Sequence, residues 1–240
     1  MPKRSEGSSA ERPRVICHMM TSIDGRIVTD GWPLASEGRR QYEQIHATYA
    51  PDGWLCGRVT MEQHFAQGTR SDAEVAREHH GPTREDFRAP GEHRGFAFAI
   101  DGKGKLAWGT NDLDGDHVVA ILSERVSDEY LASLRERGVS YLLAGEREID
   151  LPLALRKIGA QFGVRTLMLE GGGSINGGML RAGLIDEVSV LVGPVVDGRV
   201  GTAALFDVEG EDVQPWRLAL EAVERRVDDG LWLRYRVVPR

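Results

Sequence analysis

Cysteine is scarce in this chain: Cys17 and Cys56 are the two it has, each set in an apolar run. Two isolated thiols exclude a disulfide framework and the paired spacing of a zinc site, and they suit a reducing, cytoplasmic compartment. Long apolar runs are missing too; none approaches the roughly 18–20 residues that span a bilayer. The opening residues, including Ser5-Glu6-Gly7-Ser8-Ser9, lack the apolar centre of a signal peptide. Residues 1–12 are therefore expected to form a disordered tail. Basic residues are outnumbered, 30 against 37 acidic, and the net charge of −7 argues against a nucleic-acid partner. The histidines are scattered, without His-x-x-x-His spacing, so no metal is expected. Neither an internal repeat nor an interdomain linker is visible. Residues 13–240 are read as one domain, with the charged, Gly- and Pro-punctuated stretch 67–95 as an irregular surface excursion.

What is present is a regular alternation of strand and helix. Short apolar runs predict strands at 15–20, 52–57, 96–100, 117–122, 139–144, 165–169 and 187–192. Between them, helical spacing starts at Ser36, where Tyr42, Ile45, His46 and Tyr49 fall at i, i+3, i+4 and i+7. Ser36 is the expected N-cap of that helix. Further helices are predicted near 60–66, 127–137, 151–162 and 174–182. Residues 216–238 alternate at period two around Asp228-Asp229-Gly230, a hairpin whose glycine can take positive φ. This order predicts an α/β fold: a mostly parallel central sheet, an antiparallel C-terminal edge hairpin, and helices on both faces.

The most informative stretch runs from Leu167 to Gly178: an apolar strand, Glu170, the glycines Gly171, Gly172 and Gly173, then Ser174-Ile175-Asn176 opening a helix. Bare backbone at a strand-to-helix junction lets a ligand approach main-chain N–H groups, and a helix N-terminus favours phosphate. The other reading is a glycine turn that packs a helix closely on the sheet. The Rossmann fingerprint G-x-G-x-x-G is absent, so any dinucleotide site is of another architecture. Gly57-Arg58-Val59-Thr60 forms a second such junction, read either as a phosphate site or as a glycine turn with a solvated arginine. Ser123-Glu124-Arg125 ends the strand near 122 and could hold a 2′-phosphate, or be a helix cap beside a surface charge. Asp24, in Thr21-Ser22-Ile23-Asp24-Gly25-Arg26, either makes a local Asx-type turn or stands beside Glu170 as a second carboxylate. His18 is a satisfied core histidine or a ligand contact. Asp101-Gly102-Lys103-Gly104-Lys105 reads as an exposed turn.

Taken in order, residues 21–27, 56–61, 123–131 and 169–177 resemble the reductase domain of bacterial riboflavin biosynthesis, within the dihydrofolate-reductase-like superfamily. The likeness extends from about Arg14 to Val238. It implies a three-layer dihydrofolate-reductase-like fold and NADPH as cofactor. Gly57, Arg58 and Thr60 would lie by the adenine-side phosphates, Ser123 and Arg125 by the 2′-phosphate, and Gly171 to Asn176 around the pyrophosphate. Thr29 would approach the nicotinamide, and a cis peptide within the glycines is common in the wider fold. The implied reaction is hydride transfer to C1′ of a ribosylamino-pyrimidine 5′-phosphate, or reduction of a related carbonyl or imine. Asp24 and Glu170 would be catalytic, with His18, Ser22, Ser36 and Arg39 on the substrate. A homodimer acting on a small molecule is implied. Many fused bacterial members carry lysine where this chain has His18, and the deaminase half's His-x-Glu and Pro-Cys-x-x-Cys motifs are missing. The alternatives are a non-catalytic nucleotide-binding protein of this fold and a dihydrofolate reductase.

Overall fold

In the computed structural model, which describes residues 12–75, 84–208, 210 and 213–239, period-two apolar runs build the centre. β1 (Arg14–Thr21) sends Val15, Cys17 and Met19 to one face and Ile16 to the other. β5 (Asp116–Leu122) divides likewise: Val119 and Ile121 against Val118, Ala120 and Leu122. β7 (Thr166–Leu169) contributes Leu167 and Leu169 to the first face and Met168 to the second. A strand buried on both faces needs apolar residues at every position, which is why these runs look continuous in sequence. Each fully buried Leu, Ile or Phe contributes about 1.5–3 kcal/mol.

The other strands are β2 (Gly53–Gly57), β3 (Gly95–Ile100), β4 (Asp112–Leu113), β6 (Ser140–Leu143), β8 (Glu187–Val192), β9 (Leu218–Arg225) and β10 (Leu231–Val237). They form one sheet in the order β4-β5-β3-β2-β7-β1-β8-β10-β9, with β6 also on β5. The pairs among β6, β5, β3, β2, β7, β1 and β8 are parallel; β4, β10 and β9 are antiparallel to their neighbours. Carboxyl ends of the parallel strands therefore share one edge, where such sheets collect ligands.

α5 (Leu151–Phe162) and α6 (Gly173–Arg181) cover the first face through Leu155, Ile158, Met179 and Leu180. On the second lie α1 (Ala35–Thr48), α2 (Arg58–His64) and α4 (Asp128–Glu136), through Ile45, Met61, Tyr130 and Leu134. Asp150 caps α5 by accepting from Leu153 N, and Gly163 closes it at φ 71°. No helix among the described residues is long and apolar enough to cross a membrane.

Three local expectations are corrected. Leu34 holds the N-cap position of α1, without a side-chain bond, and Ser36 lies inside the first turn. In the hairpin it is Asp228 and Asp229 that take positive φ, 54° and 59°, not Gly230. That is the type I′ pattern, whose twist suits the flanking strands. Asp101 is buried, its carboxylate accepting from the N–H groups of Lys105 and Leu106 at 2.9 and 2.8 Å. It organises the turn from within, against the expectation of an exposed one.

The stretch 67–95 contains a short α3 (Asp72–Val75), and residues 76–83 lie outside the described residues, as do 1–11 of the expected tail. Its far end is tied to the core. Phe87 exchanges backbone hydrogen bonds with Tyr141 at 2.9 and 2.8 Å, and Asp86 accepts from Leu143 N and Lys157 Nζ. This pairing protects the outer edge of β6, which would otherwise present open backbone groups.

Candidate active site

At the shared carboxyl edge, β2 and β7 lie side by side, so the two glycine turns that follow them meet. Gly57 N–H donates to the Gly171 carbonyl at 2.8 Å. Gly171 has φ 90°, a conformation glycine adopts without strain, and the Gly171–Gly172 peptide is cis. Gly172 is the N-cap of α6 and Gly57 that of α2, and neither helix start has a side-chain cap. The first-turn N–H groups of Gly173, Ser174 and Ile175 therefore have no acceptor within α6. Asn176 is buried; its Nδ2 donates to Leu205 O at 2.9 Å while its Oδ1 has no partner. Unpartnered donors and the positive end of the helix dipole fit an anionic group such as a pyrophosphate. Thr60 stands against Gly172 from the neighbouring turn, and Arg58 pairs with Glu62 one turn along α2.

The glycines serve packing, as the other reading of this turn expects. A Cβ on Gly173 would run into Ala204 O and the Asp207 carboxylate, and one on Gly177 into Asp207 O, each well inside 3.0 Å. Residues 203–207 thus press directly on α6. The same segment reaches the loop after β1, with Ile27 N donating to Ala203 O and Leu205 N to Gly25 O, both at 3.1 Å. It couples the glycine turn at the start of α6 to the residues following the first strand. Nothing periodic in 193–217 announces it.

Glu170 continues the alternation of β7 and so falls on the α1 side of the sheet. Its N–H donates to Leu55 O at 2.9 Å, and Cys56 Sγ donates to its carbonyl at 3.2 Å. Its side chain is 16% exposed. Burial pushes its carboxyl up to about 8, with like charge from Glu43 and Asp116 adding and the Tyr42 hydroxyl opposing. Its Oε1 has no hydrogen-bond partner, nor has His46 Nε2 on α1, and the two atoms stand 3.7 Å apart. His46 was legible only as part of the apolar stripe of α1; nothing in the sequence marks it as facing Glu170.

The other expected site residues divide. His18 is fully buried, with Nδ1 at 3.1 Å from Ser189 Oγ and Nε2 at 3.2 Å from Tyr42 O, and its ring stacks on Tyr42 at 4.2 Å. Trp232 Nε1 donates to Ser189 Oγ, and the Tyr42 hydroxyl donates to His18 O. Burial lowers the imidazole to about 4. Both nitrogens are committed, so His18 holds α1 to the sheet and presents nothing to a ligand, correcting its expected substrate contact. Ser22 is buried, its Oγ accepting from Arg26 N at 3.0 Å, which fixes the turn after β1. Ser123 is also buried and donates to Gly102 O at 2.6 Å; the cap of α4 is Ser127. Its hydroxyl is thus taken up by the fold, while Arg125 is exposed beside it. Thr29 is exposed and its carbonyl accepts from Trp32 N. Arg39 is exposed on α1.

Asp24 makes neither of the two arrangements expected of it. Its carboxylate accepts from the N–H groups of Asp197 and Gly198, both at 2.9 Å, and no hydrogen bond or ion pair among the described residues links it to Glu170. Hydrogen bonds, first that of Ser22 and then those of Gly198 and Asp197, hold it down at about 2. A depressed carboxyl stabilises this contact above its ordinary value of 3.8 and loses it as pH falls through about 2. Amide exchange at Asp197 and Gly198 is therefore expected to accelerate in Asp24→Ala, while the exchange of β7 amides stays as in the parent. Unchanged exchange at Asp197 and Gly198 in Asp24→Ala would show that the clamp contributes nothing.

A family model described as the RibD C-terminal domain matches residues 13–231. A 2,5-diamino-6-ribosylamino-4(3H)-pyrimidinone 5′-phosphate reductase of Methanothermobacter thermautotrophicus is 39% identical over 214 residues, 88% of this chain and 91% of the relative. Among solved structures, a pyrimidine reductase-like protein from Corynebacterium diphtheriae superposes with TM-score 0.69 at 17% identity, over 95% of this chain and 93% of that one. Acinetobacter baumannii RibD gives TM-score 0.62 at 22% identity, over 95% of this chain and 58% of that one. At such identities the two structures establish the fold.

Proposed function

This chain belongs to the RibD C-terminal domain family, and we propose from that premise that it is an NADPH-dependent reductase of a ribosylamino-pyrimidine 5′-phosphate. The relative at 39% identity is named for the 2,5-diamino pyrimidinone, and that substrate is the one we assign. The observation that carries the reading is the uncapped start of α6 at Gly172, joined through Gly171 to the Gly57 turn and flanked by the half-buried Glu170.

NADPH, when bound, supplies the hydride that reduces C1′. The protein's part is to hold both partners in line and to manage one proton. Gly172 to Asn176 would bind the pyrophosphate through main-chain N–H groups, with Gly57 and Thr60 lining the second turn. Arg58 and Arg125 would read the phosphates on the adenine side, and Thr29 would border the nicotinamide. Glu170, beside this cradle, is the acid. Asp24 acts at one remove, by fixing residues 197–198 over the sheet edge. Arg39, on α1, is assigned to the substrate phosphate; the side chain of Ser36, also expected there, lies outside the described residues.

The exposed outer strand β9, with Leu220 and Val223 uncovered, is a sheet edge that a second copy would protect, and a homodimer is part of the proposal. Two buried free thiols fit a cytoplasmic setting.

The test is NADPH oxidation by the purified protein with the diamino pyrimidine phosphate, its deaminated analogue and dihydrofolate in parallel. Turnover of the first is expected, at a rate that Arg58→Ala lowers about tenfold more with NADPH than with NADH at limiting cofactor, the size of one lost charge-assisted contact. Tight NADPH binding with no turnover of any substrate would favour a non-catalytic nucleotide-binding protein. Turnover of dihydrofolate alone would make it a dihydrofolate reductase.

A further inference from the structure

One partner of Glu170, His46, has no place in the assignments above. His46 Nε2 and Glu170 Oε1 are both buried, both lack a hydrogen-bond partner, and face each other at 3.7 Å. Buried polar atoms are satisfied in the great majority of cases, so two orphans side by side call for a physical reason. A single proton supplies one: placed between an imidazole nitrogen and a carboxyl oxygen, it satisfies both atoms whichever of them carries it. The ring is also suitably placed for exchange with solvent. Its Nε2 is turned inward, yet 23% of the side chain remains accessible.

We propose that His46 is the positioning residue through which Glu170 gains and returns the proton consumed in each turnover. The inference rests on the reductase reading above and adds a proton route to it. The chemistry requires such a route. Opening the C1′–ring-oxygen bond of a ribosylamino group leaves a C1′=N bond, with the nitrogen's proton moved to the former ring oxygen as a hydroxyl. A hydride with its electron pair then adds to C1′, and the nitrogen takes one proton from outside the substrate. The net uptake is one hydride and one proton. Glu170 gives up that proton, and the vacancy is refilled through the imidazole.

The surroundings bias the pair to hold one proton. Tyr42 and Glu43 face it from α1, His18 from β1 and Cys56 from β2, while Cys17, on the opposite face of β1, and Asp116, at the start of β5, act only through their charge. Burial lowers His46, so that it is neutral and able to accept, and burial raises Glu170, so that it is protonated and able to donate.

The decisive measurement is the carboxyl titration of Glu170 in the ligand-free protein, followed by its side-chain carbon resonance, in the parent, His46→Gln and His46→Leu. Coupling predicts that the midpoint moves in both variants, because each removes the imidazole nitrogen that accepts from the protonated carboxyl. In turnover, His46→Ala is expected to lose at least about tenfold in kcat, with NADPH affinity unchanged, and to recover part of it when imidazole is added. An unmoved Glu170 midpoint in both variants, or full kcat in His46→Ala, would overturn the proposal. Because the titration needs no substrate, it tests the pair even if the pyrimidine phosphate proves to be the wrong substrate. Circular dichroism of each variant separates loss of the pair from loss of fold.

Discussion

Glu170→Gln should lower kcat on the pyrimidine phosphate by about 10²–10⁴-fold, the ordinary share of a general acid, while leaving NADPH affinity essentially as it was. The glutamine keeps the volume and one acceptor oxygen but has no proton to give. Loss confined to kcat identifies an interaction made in the transition state and not in the bound ground state. The parent should also show a descending limb in its pH–rate profile. With the folded carboxyl near 8 against an ordinary 4.5, Glu170 is protonated below that value, and activity falls as pH rises through it. The variant should have no such limb.

The same group makes a stability prediction of known sign. The folded chain keeps a proton that the unfolded chain releases, so this contribution is fully present below about 4.5 and is lost as pH rises to about 8. Glu170→Gln removes that loss. Its melting temperature should exceed the parent's by a margin that grows across this window, corresponding to a few kcal/mol at most. A constant difference between the two melting curves at all pH values would mean that Glu170 titrates normally, and the acid role would go with it.

Gly177→Ala and Gly178→Ala should have opposite effects although they are neighbours on α6. A Cβ at Gly177 collides with the Asp207 carbonyl, backbone that cannot rotate aside, whereas one at Gly178 meets only Leu151 Cδ1 at 3.7 Å, an ordinary contact. Gly177→Ala must push residues 203–207 away from α6. Overpacking of this kind costs about 1–3 kcal/mol or more, at roughly 2–4 °C of melting temperature per kcal/mol in a chain of this size. NADPH affinity should fall with it, because the displaced segment also holds Asn176 through Leu205. Gly178→Ala should be neutral or stabilising by up to about 1 kcal/mol, the helix preference for alanine over glycine. Calorimetry of the two variants decides the matter, and equal melting temperatures would refute the close approach.

Much of the architecture follows from local pattern. Helix α5 and strand β8 occupy the residues their apolar spacing predicts, because in each one the buried face is a simple period of 3.6 or a short continuous run. The Glu170-Gly-Gly-Gly junction is legible for the same reason: a strand, a break without side chains and a helix start are all local events. Sequence also carries the order of the four family segments, and with it the family.

Other features exist only through long-range pairing. Phe87 joins Tyr141 and residues 203–207 join both the β1 loop and α6, yet neither segment has a periodicity of its own, since irregular backbone is fixed by what it touches. Hydroxyls at Ser22 and Ser123 look available in sequence and are used up by the fold, because a buried donor must find a partner wherever the packing offers one. The opposition of His46 and Glu170 belongs to this class. One residue rides on a helix stripe and the other ends a strand, and 123 residues lie between them. Which of two acids meets the histidine is decided by how α1 lies across the sheet: β7 turns Glu170 towards it, while the turn after β1 carries Asp24 out to Asp197 and Gly198. Side-chain type fixed what each group could do; the crossing of helix and sheet fixed which of them could do it together.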